Sequence, residues 1–243
     1  MIFRPFYRFD TGCAAYVFGC GGQGMCVVVD PRLDDVEAYA AFANEKGMRI
    51  VRVIDTHVHA DHRSGGRALA KLANAPYSLH EDAPVKFAFD GLEDGQRIDV
   101  GNTVIDVLRT PGHAHEGISL VVRDLRRGDE PWFVCTGDSL FVGAVGRPDL
   151  PGDEKNNSIL LYGAVQRLLT LKDDVEVFPA HFGGSACGVG LSGKPSSTIG
   201  FERRWNKTLT ASRDEFVAEV GAAVPPKPAD MAAILAFNLG ESA

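Results

Sequence analysis

Residues 56–62 read Thr56-His57-Val58-His59-Ala60-Asp61-His62, set between an apolar, β-branched run at 50–55 and the small, turn-forming Ser64-Gly65-Gly66. Three of the chain's seven histidines and a carboxylate therefore fall within six residues. Burying so many polar rings together is costly unless a cation or a complete hydrogen-bond network compensates them. In an extended or tightly turned segment His57 and His59 point to one side, and a turn then brings Asp61 and His62 round to a neighbouring point. Two readings stand, a metal site and a hydrogen-bonded structural cluster, and the spacing favours the metal site.

Working outward, the same setting recurs. His113 follows an apolar run at 103–109 through Thr110-Pro111-Gly112, Asp138 follows 132–135 through Thr136-Gly137, and His181 follows 175–178 through Pro179-Ala180. Four expected strands thus end in a His or Asp, which is where open α/β sheets assemble their sites. Each residue alone reads more readily as a loop cap or a satisfied polar group. As a set they read as a site.

Short β-branched runs at 15–18, 25–30, 50–55, 103–109, 118–123, 132–135 and 175–178 alternate with helical patterns at 34–46, 65–72, 158–171, 213–222 and near 229–239, so an α/β architecture is expected. In the first helix Val36, Tyr39, Ala40 and Ala43 form an apolar stripe, and Gly47 follows as a cap. Gly-rich loops at 19–24, 143–153 and 183–200 are long enough to carry function. Pro225-Pro226-Lys227-Pro228 reads as a stiff connector to the last helix. One domain over 1–243, with a short C-terminal helical extension, is the expected organisation.

The chain has 243 residues, 45% of them hydrophobic and 23% charged, with a net charge of −7, enough apolar material for a sizeable core. Lys and Arg are scattered, so nucleic acid is not an expected partner. No segment reaches membrane-spanning length, and the first residues are broken by Arg4, Pro5 and Arg8 before a signal-peptide core develops. Five widely spread cysteines, an odd number, argue against a disulfide framework and for the cytoplasm.

The series THVHADH at 56–62, TPGHAHEG at 110–117, CTGDSLF at 135–141, VGRPDL at 145–150 and PAHFGG at 179–184 resembles, in order and spacing, the metallo-β-lactamase superfamily. Within it the chain is similar to the glyoxalase II and persulfide dioxygenase branch. The resemblance runs from about residue 10 to the tail and implies an αββα sandwich with its metal site at the edge between two sheets. Three features turn it toward the dioxygenases. Gly146-Arg147-Pro148-Asp149 resembles their Gly-Arg-(Thr or Pro)-Asp element. Only 62 residues follow His181, without a counterpart of the longer glutathione-binding helices of glyoxalase II. Residues 183–188 (GGSACG) and 197–206 (STIGFERRWN) are similar to the dioxygenase half of fused dioxygenase–sulfurtransferases, which leaves the sulfurtransferase as a separate partner.

The resemblance implies that His57, His113 and Asp138 hold one Fe(II) per chain. The matches to His59, Asp61, His62 and His181 are retained without requiring a second metal, and Asp61, Arg147 and His181 are implied to serve catalysis around it. Two imidazoles and a carboxylate on one face leave three positions open, as non-haem Fe(II) oxygenases require. The implied substrates are O₂ and a low-molecular-weight persulfide, glutathione persulfide first. In the hydrolytic alternative Zn, or a dinuclear Zn/Fe pair, sits with His57, His59 and His113 on one ion, Asp61, His62 and His181 on the other, and Asp138 between. A thiol-binding protein without activity is a third reading, against which the complete ligand set speaks. Oligomerisation is left open.

Lesser candidates surround this set. Arg147 offers a five-donor fork, suited either to a carboxylate of a glutathione-like substrate or to Asp149 within the fold. Cys187 and Cys20, each in a Gly-rich stretch, are read as sulfur-handling groups or, more commonly, small hydrophobes. Arg203 and Arg204 are placed either near an anionic substrate or at the surface. His80 and His115 are unassigned; His115 departs from the Thr or Pro of the resembled family's loop, and its closeness to His113 makes it a candidate supporting group.

Overall fold

A computed structural model describes residues 1–150, 152–222, 226–228 and 230–241. Its first half runs β1 (Ile2–Arg8), β2 (Cys13–Cys20), β3 (Met25–Val29), α1 (Val36–Glu45), β4 (Arg49–Ile54), α2 (Gly66–Ala73), β5 (Tyr77–His80) and β6 (Asp90–Leu92). Its second half runs β7 (Arg97–Val100), β8 (Thr103–Arg109), β9 (Ile118–Asp124), β10 (Phe133–Gly137), α3 (Glu154–Leu168), β11 (Glu176–Pro179), β12 (Ser197–Thr198), α4 (Ile199–Trp205), α5 (Lys207–Thr210), α6 (Arg213–Ala222) and α7 (Met231–Leu239). The strands form two six-stranded sheets, β1-β2-β3-β4-β5-β6 and β12-β11-β10-β9-β8-β7.

The period-two side-chain alternation of the strands builds the layers. Tyr16 and Phe18 of β2, Val27 and Val29 of β3, Leu120 and Val122 of β9 and Phe133 of β10 all enter one core between the sheets. Their neighbours point the other way. Val17 and Val28 meet Tyr39, Ala43 and Leu69 of α1 and α2, while Val121 and Val134 meet Leu161, Val165 and Phe216 of α3 and α6. The result is the expected αββα sandwich.

The helix at 36–45 ends as its sequence indicates. Gly47 takes φ +63°, and the N–H groups of Gly47 and Met48 close on the carbonyls of Asn44 and Ala43. Five strands were not expected. β1 carries Pro5, and as the edge strand of its sheet it tolerates the missing donor, so the residues that break a signal peptide are compatible with a strand. β5, β6, β7 and β12 are two to four residues long, too short for a periodic signal. α3 begins at Glu154 rather than 158 because the Asp153 side chain accepts the N–H of Asn156 and caps it. The loop expected over 183–200 stops sooner, at β12, and α4 and α5 follow where no helix was expected. In the Pro-rich connector Pro225 lies outside the described residues, as does Ala229, and the last helix is described from Met231. All five cysteines are free. Among the described residues no helix is long and apolar enough to cross a membrane.

Candidate metal centre

The four chemistry-bearing segments meet where the two sheets abut. Residues 56–62 leave the end of β4, His113 lies in the β8–β9 connection, Asp138 directly follows β10, and His181 lies two residues past the end of β11. Backbone bonds stitch the strand ends together: Ile118 N–H to Thr56 O (2.9 Å), Ala14 N–H to Ala180 O (2.8 Å) and Ala180 N–H to Gly137 O (3.0 Å). Gly146 passes so close that a Cβ there would lie 3.1 Å from the Cβ of His113 and inside the Asp138 carbonyl. Only glycine fits that position.

The loop at 56–62 has no ladder of its own, so its buried backbone groups must find partners elsewhere. Side chains supply them. Asp30, at φ +51° just beyond β3, accepts Thr56 N–H at 2.7 Å; Glu116 accepts Val58 N–H at 2.9 Å; and Asn238 of α7 reaches the carbonyls of His59 and His62. Asp55 accepts bonds from the hydroxyls of Ser64 and Tyr77, which fixes the way out of the loop. Burial raises the carboxyls of Asp30 and Asp55, partly countered by His57 and His59 respectively.

These partners set the imidazole tautomers. The Thr56 hydroxyl gives its one proton to Asp30, so at 3.0 Å from His57 it accepts from Nδ1–H and leaves the Nε2 lone pair free. The Arg147 carbonyl accepts from His113 Nδ1–H at 3.0 Å, with the same result for Nε2. Both Nε2 atoms then flank Asp138 Oδ2, at 3.7 Å from His57 and 3.2 Å from His113. His57 Nε2 and Asp138 Oδ2 are buried with no hydrogen-bond partner. Three lone-pair atoms thus converge with no proton between them, an arrangement that fits a divalent cation. Burial, reinforced by the nearby His59, holds His57 far below the usual histidine range. For the Asp138 carboxyl, burial acts upward but His181, His113 and His57 outweigh it and hold it well below the carboxylate range.

The other four expected ligands divide. Asp61, His62 and His181 gather with Cys13, their donor atoms within 4.8 Å of one another. His181 spans two carboxylates, Nδ1 at 2.7 Å from Asp138 Oδ1 and Nε2 at 2.8 Å from Asp61 Oδ2, and His62 Nδ1 lies 3.2 Å from Asp61. Burial disfavours charge on both rings, yet Asp61 outweighs it at His62, raised to about 10, and Asp138 with Asp61 keeps His181 protonated far above the usual range. His59 goes elsewhere: it groups with Asp30 and Asp55, its Nε2 3.2 Å from Asp30, while its Nδ1 is buried without a partner.

The lesser candidates separate clearly. Arg147 is 3% exposed, and its guanidinium makes a bidentate pair with Asp149 (2.7 and 2.9 Å) and bonds to the carbonyls of Ala186 and Pro226. Of its two readings the structure builds the internal one, an arm that ties the expected ligand His113 to the 183–188 loop. Cys187 is buried within reach of Asp138 and His181, and burial pushes its thiol up. Cys20 sits at the opposite end of β2 from Cys13, roughly 20 Å from the site by strand rise. His115 is exposed and does not support His113; only its carbonyl is engaged, by Arg109 at 3.5 Å. Arg203 is spent on Leu171 O and Asp173, Arg204 is exposed, and His80 Nδ1 accepts Asp82 N–H.

Asp30, Asp55, Glu116, Asn238 and Cys13 are site residues that sequence reasoning missed. Cys13 is the least expected. Burial raises its thiol, but hydrogen bonds from His181 and His62 outweigh that and bring it down to about 6, and Arg32 Nη1 lies 3.2 Å from its sulfur.

The human mitochondrial persulfide dioxygenase ETHE1 is 29% identical over 214 residues, covering 88% of this chain and 78% of that protein. A hydroxyacylglutathione hydrolase of Polaromonas is 33% identical over 170 residues, covering 68% of this chain and 60% of that one. The crystal structure of ETHE1 from Myxococcus xanthus superposes with a TM-score of 0.84 at 29% identity, each chain covered completely. The family model of the metallo-beta-lactamase superfamily matches residues 8–181, a span that holds every expected ligand, and the chain belongs to that superfamily.

Proposed function

We propose that the chain is an Fe(II)-dependent persulfide dioxygenase that oxidises glutathione persulfide, or another low-molecular-weight persulfide, with O₂ and water to sulfite and the free thiol. In atoms, RSSH + O₂ + H₂O gives RSH and H₂SO₃, so the terminal sulfur alone is oxidised. The observation that carries this reading is the split of the site. His57, His113 and Asp138 present unprotonated donors to one point, whereas His181 and Asp61 are already satisfied by each other. Likeness to persulfide dioxygenases over most of the chain supports it.

His57, His113 and Asp138 would hold the iron, which when bound supplies adjacent open positions and the redox chemistry that joins sulfur to O₂. The protein's own contributions are positional and electrostatic. Thr56 and the Arg147 carbonyl hold the two rings in the liganding tautomer. Protonated His181 balances the charge of Asp138 and Asp61.

A dinuclear thioester hydrolase is the second reading, favoured by one observation: His59 Nδ1 and His62 Nε2 are also buried without partners. Metal analysis of anaerobically prepared protein, paired with O₂ uptake on glutathione persulfide, separates the two. About one iron per chain with O₂ consumption is expected. Zinc near two per chain, hydrolysis of a glutathione thioester and no O₂ uptake would replace the dioxygenase with the hydrolase.

A further inference from the structure

We infer that Asn238 positions the metal-ligand loop, and that α7 is a latch which sets the site's grip on its metal; this rests on the reading of residues 57–62 as metal-binding. Asn238 is 6% exposed and stands 174 residues from Ser64 in sequence. Its Nδ2 donates to the carbonyls of His59 and His62, both at 2.8 Å, and its Oδ1 accepts the N–H of Ser64 at 2.9 Å. These partners allow one orientation of the amide, because a flipped carboxamide would set its oxygen against two carbonyls. The two bonded carbonyls bracket Asp61 and belong to two expected ligands. A rotation of His59 relative to His62 would therefore break a hydrogen bond inside a buried site, a cost no solvent molecule offsets.

The helix that carries the amide is itself fastened to the ligand side of the molecule. Arg67 donates to Phe237 O at 2.8 Å, and the guanidiniums of Arg63 and Arg67 lie 5.2 and 5.1 Å from the Phe237 ring centroid. Lys86 N–H donates to Leu239 O at 2.8 Å. Gly240, at φ +76°, closes the helix end with its N–H on Phe237 O, and Glu241 N–H reaches Ala236 O. An asparagine is an odd choice for the apolar sequence Met231–Leu239 on propensity or packing grounds. It is the short side chain that offers two donors and an acceptor to a loop lacking all three.

The test uses the full chain with zinc as the probe ion, in competition with a chelator, so that it does not depend on which reaction the site performs. Asn238→Ala and the nearly isosteric Asn238→Asp should both weaken zinc binding, by roughly 10- to 100-fold, and the aspartate at least as much as the alanine because its oxygens face two carbonyls. Amide exchange in 57–64 should quicken in both variants while the strands of the two sheets keep their protection. A role in packing alone predicts the reverse order, with Asn238→Asp binding like the parent, and that result overturns the proposal. So does unchanged exchange at 57–64. Should the variants fail to fold, the parent chain decides: zinc loading should slow exchange in 231–239 together with 57–64, and protection confined to the loop refutes the latch. A parent chain that takes up no metal refutes the metal reading instead, and exchange at 57–64 in the variants still judges Asn238.

Discussion

The site has two halves built from the same kinds of side chain and wired differently. In one, His57 and His113 turn lone pairs toward Asp138 Oδ2, and each ring's proton points outward, to Thr56 and to the Arg147 carbonyl. In the other, Asp61, His62 and His181 hold each other through protons, with Cys13 against them. The first half lacks a positive charge and the second has supplied its own. Ligand-type residues therefore do not by themselves make a metal site; the side chains behind them, which settle where each proton sits, do. The Gly146-Arg147 segment sharpens the contrast, since it touches the first half through His113 and Asp138.

The largest effect should come from the first half. His113→Ala or Asp138→Asn removes one of three donors around one point, so bound iron and O₂ uptake should vanish together. Iron analysis by mass spectrometry and an oxygen electrode on glutathione persulfide read both. Full iron content in either variant would show that the converging lone pairs are not the binding point.

A smaller effect is expected from the second half. His181→Ala removes the bridge between Asp138 and Asp61 but no donor to the first point. Iron should stay near one per chain while turnover falls roughly 10- to 100-fold, the scale of losing a partner that orients a ligand. Loss of half the metal would mean that both halves bind ions.

How much of this was legible in the sequence follows from the same division. The expected ligands could be singled out, and their convergence anticipated, because His and Asp at four strand ends are rare types in a recurring setting. The sandwich could be read because Tyr16, Val27, Leu120 and Phe133 alternate with side chains that face helices. Their supports could not. Asp30, Glu116 and Asn238 act on backbone groups 26, 58 and up to 179 residues away, and nothing local marks an Asp after a strand or an Asn in a helix as a partner of a distant loop. The one available signal was the lone polar residue near the end of α7. Cys13 gave none, being a small residue at the start of an apolar strand, and the ambiguity of Arg147 was resolved only by its burial and its bonds to Asp149 and the carbonyl of Ala186.

The wiring also predicts how stability depends on pH, at a scale below that of ligand loss. In the metal-free protein His62, at about 10, and His181 hold their protons more tightly folded than unfolded, so their contribution is complete below the unfolded histidine value and is lost as pH rises toward 10. Cys13, brought down to about 6, opposes them, since its contribution grows from pH 6 up to the unfolded thiol value. Two groups against one leave a net decline between pH 7 and 8, below the range where the buried thiols of Cys26, Cys135 and Cys187, pushed up by burial, add to it, and the decline is measurable as a falling Tm. Removing Cys13 as Cys13→Ser should steepen it. Iron loading should leave the decline in place if only the first half binds, because the protons of the second half remain. A decline abolished by metal means that ions have displaced those protons, which is the dinuclear outcome.

The smallest effect should be that of Cys187→Ser, which asks whether the contrast between the halves is complete or whether a third group takes part. Cys187 is buried beside His181 and Asp138, close enough to receive sulfur, yet burial pushes its thiol up and keeps it protonated. A relay would need its thiolate to attack the substrate, giving Cys187–SSH and RSH, before the terminal sulfur is oxidised. A protonated thiol is a poor nucleophile, and on the proposed reading iron held by His57, His113 and Asp138 would itself bind the substrate sulfur, with no covalent step on the protein. Turnover of glutathione persulfide by Cys187→Ser should therefore stay within a few-fold of the parent. Intact mass before O₂ is admitted should show no added sulfur on the parent chain. An adduct that forms and decays at the rate of turnover, and that is missing in Cys187→Ser, would make the 183–188 loop part of the chemistry and the centre a metal–thiol pair.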